Sequence, residues 1–293
     1  MLFFKNMEEI QKGQLHPLTL LAEESYKVFT DLGFEINMGP EMENEWYNFD
    51  ALNVPADHPA RDMQDTFFIK NKTASQENQN FTALPSLRGL RHGQNSDSLV
   101  PPSDSFVLRT HNTNTTARKM AEMAKENINE GAYISIGKVF RNEATDATHE
   151  MQFYQIDGFM IAPIQDKNTS ANLSNMKAIL IEFYKKVLGE DTEIEFRPSF
   201  FPFTEPSVEV HAKFAPSTDS KSSQQASSGQ DGKWLEMMGG GMLHPEVLKK
   251  AGFDPEKVQG FAFGGGLDRI AMIRWNIPDV RFFYQGDLRL NQF

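Results

Sequence analysis

Residues 140–158, FRNEATDATHEMQFYQIDG, decide how the rest of the chain is understood. Arg141 and Glu143 stand just before a polar turn, ATDATHE, and the chain returns with His149, Phe153, Gln155 and Asp157. Side chains on a strand alternate between its two faces, so Arg141 and Glu143 share a face, as do Phe153, Gln155 and Asp157. Paired as a hairpin, the two arms gather a cation, an aromatic plate and polar groups on one concave surface. An Arg-x-Glu pair by itself is more often an exposed ion pair, which is worth little. The length of the pattern is what points to a binding surface.

Around this hairpin, strand-like runs occur at 133–140, 151–162, 194–211, 234–238 and 258–264, and helical spacing at 17–34, 114–131 and 170–188. In the first helix Leu18, Leu21, Val28, Phe29 and Leu32 fall close to one face, and Gly33 supplies a C-terminal stop. GFEINMGP (33–40) is extended and ends at Pro40, and the acidic, proline-bearing stretch after it predicts a loop over the core before a strand at 65–69. Helices flanking hairpin-joined strands predict an α+β fold with a mainly antiparallel sheet. Two polar stretches without periodicity, at about 72–105 and 216–232, are expected to be surface insertions.

Composition sets the outer limits. With 39% hydrophobic and 24% charged residues the chain has the make-up of a globular protein with a core. No apolar run approaches a membrane span and the N-terminus lacks a secretory pattern, so no membrane association and a cytoplasmic location are expected. Zero cysteines rule out disulfides, thiol catalysis and thiolate metal sites. The net charge of −11 argues against a surface built throughout for polyanions, although it permits a local basic groove.

Two further clusters carry candidate chemistry. In GFAFGGGLDRIAMIRW (260–275) a strand enters three glycines and then a helix whose first turn holds Asp268 and Arg269. Glycines there allow close backbone approach, and a helix start favours anions, yet a tight structural turn fits as well. The run lacks the Lys-Ser or Lys-Thr of a P-loop. In FRPSFFPFTEPSVEV (196–210) Arg197, Phe201, Phe203, Glu205, Ser207 and Glu209 alternate. Two aromatics and two carboxylates on one side suit an apolar pocket beside a Mg²⁺ site; core aromatics beside exposed acids is the plain alternative.

Three segments, in order, resemble the signature motifs of class II aminoacyl-tRNA synthetases: GFEINMGP as motif 1, FRNEATDATHEMQF as motif 2 and GGGLDRIAMI as motif 3. HPLT, NFDALNVPADHPARDMQDTFF, LRTHNT, YQIDG, FPFTEPSVEV, GGGMLHPEVL and DLRLNQF extend the resemblance to the alpha subunits of bacterial-type phenylalanyl-tRNA synthetases. It implies a class II synthetase catalytic domain over 15–293, preceded by a short remnant at 1–14 in place of most of the family's N-terminal coiled coil. It departs at the 216–232 insertion, where many relatives carry a cysteine knuckle, so no zinc is expected; Asp157 stands where glutamate is common.

The resemblance implies a ligase that joins L-phenylalanine to ATP as an adenylate and transfers the acyl group to the 3′-terminal adenosine of tRNA(Phe). By it, Arg141 bridges substrate carboxylate and α-phosphate, Phe153 and Arg269 enclose adenine, and Arg269 also reaches the γ-phosphate. Glu143 accepts from the adenine amino group, Gly264 and Gly266 flank the nucleotide, and Glu205 is a Mg²⁺ ligand. His111, Thr113, Gln155 and Asp157 hold the α-amino group and its surroundings; His111 is otherwise an ordinary core histidine. Phe201 and Phe203 sandwich the phenyl ring edgewise and Ala262 sets pocket depth. An apolar pocket rejects an added hydroxyl by only about a hundredfold, so the resemblance also implies a larger editing beta subunit in an (αβ)₂ tetramer. The rival readings are a relative that activates another amino acid and a noncatalytic RNA-binding module.

Overall fold

The computed structural model describes residues 15–61, 66–69, 105–164, 170–214, 233–286 and 290. The N-terminal remnant and, apart from Ser105, both polar insertions lie outside those residues.

The fold is α+β, organised by a seven-stranded sheet. Its first strand, β1 (Glu35–Ile36), follows the helix α1 (Pro17–Asp31). Pro17 opens that helix, the His16 side chain caps it by accepting the Leu18 N–H, and Gly33 at φ 89° ends it. The expected stop at Gly33 thus ends the helix at Asp31, and its left-handed backbone turns the chain into β1.

A small antiparallel sheet comes next, made of β2 (Met42–Asn44), β3 (Phe68–Ile69) and β4 (Phe106–Leu108), with a one-turn helix α2 (Glu45–Asn48) after β2. The helix α3 (Thr113–Lys125) then leads into the hairpin β5 (Gly131–Phe140) and β6 (Gln152–Pro163). After α4 (Leu173–Leu188) come β7 (Glu193–Phe201), β8 (Thr204–Phe214), β9 (Lys233–Leu243), α5 (Pro245–Ala251), β10 (Val258–Gly266) and α6 (Leu267–Arg274). The sheet order is β1-β5-β6-β10-β9-β8-β7; β1 pairs with β5 in parallel and the other neighbours are antiparallel.

Alternation along the central strands sorts the two faces. Ile134, Ile156, Phe261 and Phe263 pack with Leu21 and Phe29 of α1, Phe183 of α4 and Ile270 of α6. On the opposite face Tyr133, Phe159, Ile161 and Ala262 meet Met120 and Met123 of α3 and Val247 of α5. That second face is covered only part of the way along β6 and β10, and a cavity takes up the rest.

Three expectations change. The run at 194–211 is two strands, since the chain reverses at Pro202–Phe203 and β7 pairs with β8 from Glu193↔Lys213 to Phe201↔Thr204. The strand expected at 234–238 continues to Leu243 because Gly240 and Gly241 allow neighbouring backbone to close in and Gly239 leaves room for the Phe201 ring. A Cβ on Gly241 would lie 2.2 Å from the Pro206 carbonyl oxygen. The helix expected to reach 131 ends at Lys125, and Gly131 already opens β5.

Candidate active site

On the open part of the second face lies a cavity of about 650 Å³, within the usual range for small-molecule sites. Its floor is set by register. Antiparallel pairing puts Gly264 opposite Asp157 and Gly266 opposite Gln155. Phe153, Gln155 and Asp157 therefore line the floor on alternate positions of β6, as the strand period requires. A Cβ on Gly264 would meet the Asp157 carboxylate at 2.6 Å, so that glycine makes room for a side chain, while at Gly266 the nearest atom is Arg269 Cβ at 4.0 Å. Of these two, only Gly266 leaves space beside the backbone.

Arg141 and Glu143 lie past the last residue of β5, so strand alternation does not place them. Instead Arg141 donates through Nε to the Thr110 carbonyl at 3.3 Å and lies 3.8 Å from a Glu143 carboxylate oxygen. Its guanidinium stacks over the Phe153 ring at 5.1 Å, a cation–π contact. Arg269 enters from the start of α6 and donates to the Glu236 carbonyl at 3.0 Å.

Gln155 Oε1 accepts the Asn112 N–H at 2.9 Å, which settles the amide orientation and leaves its NH₂ as the donor end. Asn112 in turn donates to Ser135 Oγ at 2.8 Å. Asp157 is 3% exposed and accepts the Thr113 and Thr116 hydroxyls at 2.7 and 2.8 Å. Burial pushes its carboxyl up to about 7, against the pull of those hydroxyls and of Arg109. The His111 ring hydrogen-bonds the Asn48 main chain, and burial, with Arg141 nearby, holds its pKa down at about 4. The ring is thus neutral near pH 7, and its buried Nδ1 has no hydrogen-bond partner among the described residues.

The Phe201 and Phe203 rings lie at 12° to each other with centroids 5.8 Å apart. Both rings line the cavity, so they form one stacked aromatic wall of it. Ala262 lines the same cavity, and a Cβ on Gly239 would strike the Phe201 ring at 2.5 Å.

Among the expected site residues, Arg141, Glu143, Phe153, Gln155, Asp157, His111, Thr113, Phe201, Phe203, Ala262, Gly264, Gly266 and Arg269 all line this cavity. Glu205 does not. Its side chain is 73% exposed and pairs with His244 at 3.3 Å, because the turn at 202–203 and a shift in the β8–β9 ladder break the alternation that grouped it with the aromatics. Glu236, Glu150 and Asp268, which sequence reasoning did not assign, are among the described residues the carboxylates that line the cavity with Glu143 and Asp157. Among the described residues no group of three or more His, Asp or Glu is arranged to hold a metal.

The family model described as tRNA synthetases class II core domain (F) matches residues 3–293. Phenylalanine–tRNA ligase alpha subunits of Bacillus cytotoxicus, Bacillus cereus and Bacillus anthracis are 41% identical over 288 residues, 97% of this chain and 70% of each relative. The chain belongs to this class II synthetase family. Its seven-stranded sheet is that family's catalytic core, with Arg141 at the end of the motif 2 strand and Arg269 at the start of the motif 3 helix. No helix among the described residues is long and apolar enough to cross a membrane.

Proposed function

We propose that the chain is the catalytic subunit of a phenylalanine–tRNA ligase: it activates L-phenylalanine with ATP and passes the acyl group to the 3′-terminal adenosine of tRNA(Phe). The observation that carries this reading is one cavity with two unlike ends. Arg141, Phe153 and Arg269 offer stacking and positive charge to a nucleotide, while Phe201, Phe203 and Ala262 offer an apolar recess for a ring. In the first step a carboxylate oxygen of phenylalanine attacks the α-phosphorus and pyrophosphate leaves. The nucleophile is already ionised, so no general base is needed and catalysis is positioning and charge stabilisation.

Arg141 bridges the carboxylate and the α-phosphate with its planar fork. The bare Nδ1 of neutral His111 and the Asp157 carboxylate suit an ammonium group, whereas the outward NH₂ of Gln155 suits an oxygen of the carboxylate. Gln155 is accordingly assigned to the acyl end of the substrate. Mg²⁺ takes few protein carboxylates and fills its shell with phosphate oxygens and water. The scattered acids of the cavity fit a metal carried by the nucleotide, with Glu236 and Glu150 as the cavity side chains that would hold it, while Glu205, outside the cavity, would reach a metal only at its exposed edge. Bound there, Mg²⁺ would offset charge on the phosphates.

Phenylalanine-dependent ATP–pyrophosphate exchange, run over twenty amino acids with the chain alone and with a beta subunit, tests the reading. Exchange with phenylalanine supports it; exchange only with another amino acid replaces the substrate, and none in either setting favours a noncatalytic role. A beta-subunit partner in an (αβ)₂ assembly, and a cytoplasmic location, belong to the same proposal.

Ala262 gives a sharper test of where the ring sits. It faces the cavity from β10, opposite Phe159. Ala262→Gly deepens the recess by one methyl and is expected to admit p-chlorophenylalanine in the exchange assay. Continued exclusion by a variant that still activates phenylalanine would place the ring elsewhere.

A further inference from the structure

The nucleotide end of the cavity is formed by side chains on different elements, Phe153 on β6 and Arg269 on α6, and nothing in either element alone sets their separation. Asp268 precedes Arg269, and Tyr154 follows Phe153. The Asp268 carboxylate, only 4% exposed, accepts the Tyr154 N–H through Oδ2 at 2.7 Å and the Tyr284 hydroxyl through Oδ1. One buried group is thus bonded next to both halves of the nucleotide site.

Tyr284 arrives from the C-terminal side, directly after a short helical turn, Val280–Phe283, capped by Asp279. The same turn donates the Val280 N–H to the Ala147 carbonyl at 2.9 Å, in the loop that carries Glu143, and Val280 also lines the cavity. Residues 279–284 therefore touch the motif 2 loop with one end and the motif 3 acid with the other. Burial raises the Asp268 carboxyl to about 6 against the pull of the two donors, so the group is largely ionised near neutrality and both bonds are charge-assisted.

We propose that Asp268 and Tyr284 are positioning residues that fix Phe153 and Arg269 at the spacing ATP requires, with residues 279–284 acting as a strap across the nucleotide site. The proposal rests on the ATP reading above. The strap acts through its neighbours, since an ångström of displacement in a positioning group is enough to lower a rate severely.

The test uses the purified chain, with a beta subunit if exchange requires one, and measures ATP and phenylalanine binding separately by calorimetry. Tyr284→Phe removes one hydroxyl and leaves its ring in place against the core. It is expected to weaken ATP about tenfold, the scale for losing a hydrogen bond to a charged group. The KM for ATP rises in step, while phenylalanine affinity changes little. Asp268→Asn moves ATP in the same direction, and the double variant falls short of the product of the two effects because both break one link. Equal ATP affinity in wild type and Tyr284→Phe overturns the proposal. So does a joint fall in ATP affinity, phenylalanine affinity and melting temperature, which would make the link a general support of the fold. If wild type binds phenylalanine and no ATP, the nucleotide reading itself fails and the strap proposal with it.

Discussion

Alanine in place of Arg141 is expected to lower phenylalanine-dependent ATP–pyrophosphate exchange by about a thousandfold, the scale for removing a preorganised donor from developing charge. The preorganisation is visible in three restraints on one guanidinium: the Thr110 carbonyl at 3.3 Å, Glu143 at 3.8 Å and the Phe153 face at 5.1 Å. Because these restraints are in place before the substrate arrives, the fork pays little reorganisation cost during the reaction. The loss should fall mainly on kcat, since the charge it meets is greatest in the transition state. Arg141→Lys keeps the charge but neither the planar fork nor the stacked geometry, and should recover little. Exchange within tenfold of wild type in Arg141→Ala would move the α-phosphate away from this residue.

A second large effect concerns pH and stability at Asp157. Its folded carboxyl, pushed from 3.8 up to about 7 by burial, holds a proton over a range in which an unfolded aspartate has lost it. The sign follows from linkage: the folded state binds more protons between those values, so stability falls as pH rises. That contribution is fully present below about pH 4 and is lost as pH passes 7. Over the interval from 3.8 to about 7 the linkage is on the order of 4 kcal/mol as an upper bound. Asp157→Asn keeps the shape without the titration, so in urea unfolding the variant should gain on wild type between pH 5 and pH 8. Parallel stabilities across that range would return Asp157 to an ordinary carboxyl. An ammonium bound beside it favours the ionised form, so under the proposed function phenylalanine should bind wild type more tightly as pH rises through 7.

Much of the site was legible because it lies on strands. The period of two on β6 gathers Phe153, Gln155 and Asp157 wherever that strand is placed, and the glycine run followed by Asp268-Arg269 marks the start of α6 by local backbone chemistry alone. The same reasoning failed at Glu205, where counting by twos was carried through Pro202–Phe203 as though the chain did not turn. Arg141 and Glu143 were grouped correctly for the wrong reason: they share a cavity through contacts with Thr110 and Phe153 beyond the end of β5.

By itself the sequence determined the α+β class, the three long helices and the central strands, the family, and most of the side chains that meet in the cavity, because periodicity, glycines and motif order are local properties. Only the tertiary structure decided that Phe201 and Phe203 stack on each other, that Glu236 borders the cavity in place of Glu205, that Gln155 presents its NH₂, and that Tyr284 reaches Asp268. Each depends on which backbone or side chain from a distant segment arrives beside a given group. Hydrogen-bond direction, burial and pKa belong to that meeting and have no signature within any one stretch of chain.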